Sequence, residues 1–338
     1  MENNRVLVTG GAGFIGSELV RQLAADQFRV IAVDNLVNGK RENLAEVLNS
    51  DVELAVADIR DGAAMAQLFR KVDVVFHLAS LGLRHSMHAP LENHEVNAST
   101  TLGLLRLARK TGIKRFVYVS SSEVYGTARA VPISEEHPTS PTTVYGASKL
   151  AGECYTRAFW ETYRFPTVVV RPFSAYGPRS HHEGDSGEVI SKFMLRCLAG
   201  KPMVIFGDGQ ETRDFTFAAD IARGILASAF SEQSLGQTFN LGSGKEIQIK
   251  QLADTIAGLL GMSGADVAHV ESRPGDILRL VADTSKAKKL LDFEPTVSLK
   301  EGLAQLRDWY SRQGTPALDL LGEEVVRNWE PRSFPTHA

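Results

Sequence analysis

Tyr145 and Lys149 stand four residues apart in "YGASK", a spacing that puts both side chains on one face of a helix. A free phenol titrates at about 10, so alone it is a poor base near neutral pH. A cation held beside it favours the phenolate, and lowering the pKa by ~3 units takes ~4 kcal/mol of differential stabilisation. Ser121, in "SSSEVYG", closes a β-type run and can present its hydroxyl to the same substrate oxygen. Such a set can take the proton from an alcohol. Glu123 adds a carboxylate that simple proton removal does not require. A Tyr-x-x-x-Lys pair by itself describes a helix with a surface lysine equally well, so its neighbours must decide.

"VTGGAGFIGS" supplies the first of these neighbours, with Gly10, Gly13 and Gly16 in a G-x-x-G-x-x-G pattern between a strand run and a helical run. Glycine serves where backbone turns sharply and approaches a pyrophosphate, and the helix beyond offers uncapped N–H groups to the phosphates. A tight strand–helix turn would use the same glycines. Asp34, near the ~20-residue offset of a dinucleotide site, closes the second strand and can accept hydrogen bonds from both ribose hydroxyls. A 2′-phosphate there would meet like charge, which favours NAD over NADP, although Lys40 and Arg41 follow closely. The positive nicotinamide would also favour phenolate at Tyr145.

These residues need a scaffold that brings strand ends together. The runs 5–10, 29–34, 52–58, 72–79, 114–121 and 166–173 are short, β-branched and nearly continuous in apolar residues, as strands covered on both faces are. Helical patterns at 14–25, 61–70, 91–110 and 146–163 lie between them. The alternation predicts an α/β fold, a Rossmann-type doubly wound parallel sheet with right-handed crossovers. After residue 174 a polar loop, 176–188, leads into helical patterns at 189–199, 218–230 and 249–261 mixed with short strands. The expected organisation is a dinucleotide-binding domain over 1–174 and a smaller substrate-binding region over 175–315, from which segments can return to the sheet. The extension 316–338 carries no pattern that assigns it a role.

The 338 residues are 43% hydrophobic and 23% charged with a formal net charge of -3, an ordinary globular balance with no basic excess for nucleic acid. Cys154 and Cys197 have neither metal nor redox spacing and suit a reducing compartment. No apolar run approaches the roughly 18 residues of a membrane span and no signal-peptide pattern precedes the first strand, so a cytoplasmic enzyme without membrane partners is expected. "RHSMH" at 84–88 with His94, and "HHEGD" at 181–185, hold metal-binding residue types without ligand spacing and read as solvated or substrate-facing loops. No metal is expected.

In order, the glycine turn, Asp34, "HLAS", "SSSEVYG", "YGASK" and "RPFSAYGPR" resemble the extended short-chain dehydrogenase/reductase family over roughly residues 5–310. The likeness is closest to its nucleotide-sugar epimerases, dehydratases and decarboxylases; "FGDGQETRDF" and "SRPGD" look like that group's nucleotide-sugar-binding segments. The resemblance implies a bound NAD that takes a hydride from the sugar, usually at C4. Tyr145 would be the base, Lys149 would lower its pKa and bind the nicotinamide ribose, and Ser121 would assist. Phe14 and Ile15 would join the glycines in the cofactor turn. Asp58 and Ile59 would flank the adenine, Asn35, Asn38 and Gly39 its ribose, and Leu78, Ala79 and Ser80 the nicotinamide half. On the substrate side, Arg213 and Arg273 would bind the diphosphate, a role suited to guanidinium groups, though each could be a surface ion-pair arginine. Ser86 would contact the sugar, and Arg84 and His85 would help set specificity. Arg179 and Phe206 complete the implied substrate set, and Ser174 stands where the family usually has asparagine. The helices at 91–110 and 146–163 match those that build a homodimer's four-helix bundle in this family.

Three reactions share the first hydride step. A 4-epimerase needs only Ser121, Tyr145 and Lys149. A 4,6-dehydratase must also remove the C5 proton and expel the C6 hydroxyl, with an acid and a base at the positions held by Ser122 and Glu123. Glu123 suits the base, while Ser122 replaces an aspartic acid and is a feeble proton donor. A uronic-acid decarboxylase also often carries Ser-Glu here but differs at "TRDF". A non-catalytic NAD sensor or scaffold would tend to lose the tyrosine or lysine, and both are kept. Epimerisation is the favoured expectation, with dehydration second.

Overall fold

The computed structural model describes residues 5–184, 186–262, 264–272, 277–327 and 329. Six strands appear where the apolar runs predict them: Arg5–Thr9 (β1), Arg29–Asp34 (β2), Val52–Val56 (β3), Val74–His77 (β4), Arg115–Val119 (β5) and Thr167–Pro172 (β6). A seventh strand of the same sheet, Thr238–Leu241 (β7), pairs with β6 and comes from beyond residue 174. All pairings are parallel, in the order β7-β6-β5-β4-β1-β2-β3. This is the expected Rossmann-like doubly wound sheet. Its order reverses between β1 and β4, where a crevice opens at the carboxyl ends of the strands.

Alternate strand residues explain why these runs are apolar throughout. Val6 and Val8 face one core with Leu19, Val20 and Leu23 of Phe14–Ala25 (α1) and Ile221 and Ile225 of a later helix. Leu7 and Val75 face the other, with Met65 and Phe69 of Gly62–Phe69 (α2). Along the chain come Leu83–His88 (α3), Pro90–His94 (α4), Thr100–Thr111 (α5) and Val144–Tyr163 (α6). The helical run read over 91–110 is thus α4 and α5, joined through a π-helical turn at Glu95–Ser99.

Beyond the sheet edge, Val189–Leu198 (α7), Ala218–Phe230 (α8), Ile249–Leu259 (α9), Ser285–Leu291 (α10) and Leu299–Arg312 (α11) complete the larger helices. Residues of α7, α9 and α11 share a third core with Met203 and Ile205, whereas Ile221 and Ile225 of α8 and Leu291 of α10 belong to the sheet's first core. The second half therefore supplies both a unit with its own core and part of the sheet layer. Among the described residues no helix is long and apolar enough to cross a membrane.

Candidate active site

The strand ends β1, β2, β4, β5 and β6 surround a cleft of about 690 Å³. At its β1 side the chain turns into α1 so tightly that a Cβ on Gly16 would lie 2.0 Å from the Gly10 carbonyl oxygen. Only glycine permits that approach. Gly13 heads α1 without a side-chain cap, so Phe14 and Ile15 bring open first-turn amides to the cleft wall. Asp34, at the end of β2, accepts from Ala12 N at 3.0 Å and Leu36 N at 2.9 Å. Burial raises its pKa. Its carboxylate is thereby fixed at the cleft wall beside Asn35, Asn38 and Gly39. Lys40, which could have reached for a 2′-phosphate, is bonded instead to Glu183 across the chain. Such a turn, with uncapped amides and an immobilised carboxylate, fits NAD.

Asp58 and Ile59 also line the cleft, as do Leu78, Ala79 and Ser80. Arg60 bonds Asp58 at 2.7 and 3.0 Å, and this pairing holds the carboxyl down at about 2. The 78–82 segment is anchored by a buried amide cluster on the π turn. Asn97 accepts from Leu81 N at 2.8 Å and donates to Leu81 O at 2.9 Å, while Asn93 donates to the same oxygen at 3.0 Å. The Ser148 hydroxyl joins both asparagines at 3.1 Å. Asn93 of α4 and Asn97 of the π turn thus tie this segment to α6.

Ser121 follows β5 and heads a short 3₁₀ turn, Ser122–Tyr125, where its hydroxyl accepts from Glu123 N at 3.2 Å. The start of α6 packs on that turn: a Cβ on Gly146 would meet the Glu123 carbonyl oxygen at 2.7 Å. Thr143 caps the helix by accepting from Gly146 N at 3.0 Å. Tyr145 is thus held in hydrogen-bond contact with Ser121. Ser121, Glu123, Tyr145 and Lys149 all line the cleft.

Electrostatics at this corner differ from those of a ready base. Burial pushes the Tyr145 phenol up to about 12; the Ser121 hydrogen bond opposes this and the charges of Glu123 and Glu188 add to it. Lys149 is fully enclosed and its Nζ donates to Val119 O at 2.6 Å. Burial lowers its pKa to about 7, while the charge of Glu153, one turn along α6, raises it. Glu153 in turn is bonded by Arg171 of β6 at 2.9 and 2.6 Å. Without ligand, the phenol is therefore neutral.

Of the residues expected to meet substrate, Arg84, His85, Ser174, Phe206 and Arg213 line the same cleft. Arg213 also donates to Thr212 O at 2.9 Å and Ile277 O at 2.6 Å. Two expected residues are turned elsewhere. Ser86 is buried and donates to Leu83 O at 2.7 Å within α3, and Arg179, with φ 69°, pairs with Glu18 of α1. Neither is on the cleft wall. Arg273 lies outside the described residues. Cleft residues not anticipated include Arg60, Glu92, Lys192, Glu188, Arg196, Glu324 and Val326. The described residues hold no group of three candidate metal ligands.

A family model for the NAD-dependent epimerase/dehydratase family matches residues 6–242. The chain belongs to that family. It is 37% identical over 310 residues to a UDP-glucose 4-epimerase of Mycolicibacterium smegmatis, an alignment spanning 90% of this chain and 98% of that protein. The structure of UDP-glucose 4-epimerase from Thermotoga maritima with UDP-glucose superposes with a TM-score of 0.86 at 32% identity, covering 91% of this chain and 99% of the other. The dTDP-glucose 4,6-dehydratase of Streptomyces venezuelae, crystallised with NAD, gives 0.86 at 33% identity, with 91% and 97% covered. Membership of the epimerase/dehydratase family makes NAD the cofactor.

Proposed function

We propose that the protein is an NAD-dependent nucleotide-sugar 4-epimerase. NAD, when bound, supplies reversible hydride chemistry at the sugar carbon. Tyr145 takes the proton of the C4 hydroxyl, Ser121 hydrogen-bonds the same oxygen, and Lys149 brings the cation that phenolate needs. Since the phenol stands near 12 in the free protein, the positive charge of bound cofactor must add to that of Lys149 before it can act. Inversion then requires the keto sugar to present its other face while Tyr145 returns the proton.

The observation that carries this reading is Ser122. It is buried at the position where elimination calls for an acid, and a hydroxyl cannot protonate a departing C6 oxygen effectively. The dehydratase reading keeps one supporting fact, the charge of Glu123 acting on Tyr145. Glu123→Gln separates the two. Epimerisation should persist within about ten-fold; loss of about 10²-fold or more in kcat with unchanged substrate binding would assign the carboxylate to proton transfer and overturn the reading. We also read α4–α5 and α6 as a homodimer surface, supported by exposed Leu91 and Leu102.

A further inference from the structure

The far wall of the cleft comes from a part of the chain that no motif explains. Glu324 and Val326 line the cleft, although they lie beyond α11. Several attachments fix them there. Leu321 is buried in the third core. Gly184 N donates to Glu323 O at 2.9 Å and pairs with Glu324 as an isolated bridge. Arg196 grips Glu324 with two bonds, Nε at 3.0 Å and a second nitrogen at 2.8 Å, and both side chains are largely shielded from water. Lys192 Nζ donates to Val325 O at 3.0 Å. Trp329 meets the ring of Phe206 edge-on at 5.0 Å, and Phe206 itself faces the cleft. A bidentate pair of this kind sets the register of the segment, so Val326 occupies a defined place on the wall.

The wall has a definite chemistry. Val204, Phe206 and Val326 present apolar surface, and the Arg196–Glu324 pair borders it with donors and acceptors. Flat heterocycles have this character, with apolar faces and a polar rim. Arg196 stands on α7, whereas the glycine turn that fits the dinucleotide precedes α1. We propose that the C-terminal segment Leu321–Arg327 is part of the substrate site and closes its nucleoside-diphosphate end, with Val326 against the base and the Arg196–Glu324 pair holding Val326 in place. The inference rests on the nucleotide-sugar reading.

Calorimetric titration of the NAD-loaded protein with UDP, dTDP, GDP, CDP and ADP tests both. The parent should bind at least one of these, and Val326→Asp should weaken that affinity about ten-fold or more, because an unpaired carboxylate would face the base. Val326→Thr, isosteric and less disruptive, should show a smaller loss in the same direction. Leu318→Ala, an exposed change just before that segment, should bind like the parent. Bound NAD, measured by release and absorbance, should match the parent in all three. If the parent binds none of the diphosphates, the nucleotide-sugar reading falls and the inference with it. If it binds and both Val326 variants keep parental affinity, the tail proposal alone is overturned; should the aspartate variant fail to fold, the threonine variant decides.

Discussion

Replacing Lys149 with methionine removes a cation that the folded protein holds at a cost. The side chain is 2% exposed, its Nζ donates to Val119 O at 2.6 Å, and burial lowers its pKa from 10.5 to about 7. In the unfolded chain the same amine titrates near its ordinary value. Between pH 7 and 10.5 the unfolded chain therefore binds more protons than the folded one, so this group makes stability rise with pH across that window. From pH 7 to pH 10 the rise is about 3–4 kcal/mol, and well below pH 7 the contribution is flat because both states are protonated. Methionine abolishes the titration and also forfeits the Val119 bond, but that loss is the same at every pH. Urea unfolding of nucleotide-free parent and variant at pH 7 and pH 10 isolates the lysine, since all other groups are shared. The stability of the parent minus that of the variant should grow by about 3–4 kcal/mol between the two pH values. A difference constant within about 1 kcal/mol would refute the reasoning, because it would mean that folded Lys149 keeps an ordinary pKa.

Gly16→Ala places a Cβ 2.0 Å from the Gly10 carbonyl oxygen, so the turn must open. Purified variant should carry little or no NAD, and its melting temperature should fall by an amount corresponding to about 1–3 kcal/mol. Arg171→Met takes from the fully buried Glu153 its two-bond guanidinium partner, leaving Arg157 at 2.8 Å, and removes the bond to Tyr125 at 2.7 Å. A loss of about 3–5 kcal/mol in denaturant unfolding at neutral pH is expected, shrinking as acid protonates Glu153. A loss below about 1 kcal/mol would contradict the role assigned to the pair.

The parts of the site legible in the sequence share one property: short-range geometry dictates them. Gly16 is required by a contact of backbone with backbone, and Tyr145 and Lys149 by one turn of helix. Asp34 is fixed by closing a strand. Residues that depend on how distant segments meet were harder to read. Arg60, Glu188 and Val326 reach the cleft only because separate elements converge there, and no local pattern marks them. Ser86 and Arg179 show the converse case. Each has a suitable type near a motif, but Ser86 satisfies its own helix and Arg179 is drawn to Glu18, so proximity in sequence did not become proximity in space. Strand β7 escaped as well, since "TFNL" is too short for periodicity to separate it from a loop. The π turn was likewise invisible within a helical pattern.

The central claim is C4 inversion without elimination, and proton NMR of the reaction in D2O tests it most directly. The purified protein is incubated with UDP- and dTDP-linked hexoses, N-acetylhexosamines and hexuronic acids, and each product is followed to equilibrium. The account predicts a C4 epimer that keeps its C6 group and shows no solvent deuterium at C5, with activity lost in Tyr145→Phe. A 4-keto-6-deoxy product carrying deuterium, or a pentose formed with loss of CO2, would contradict it.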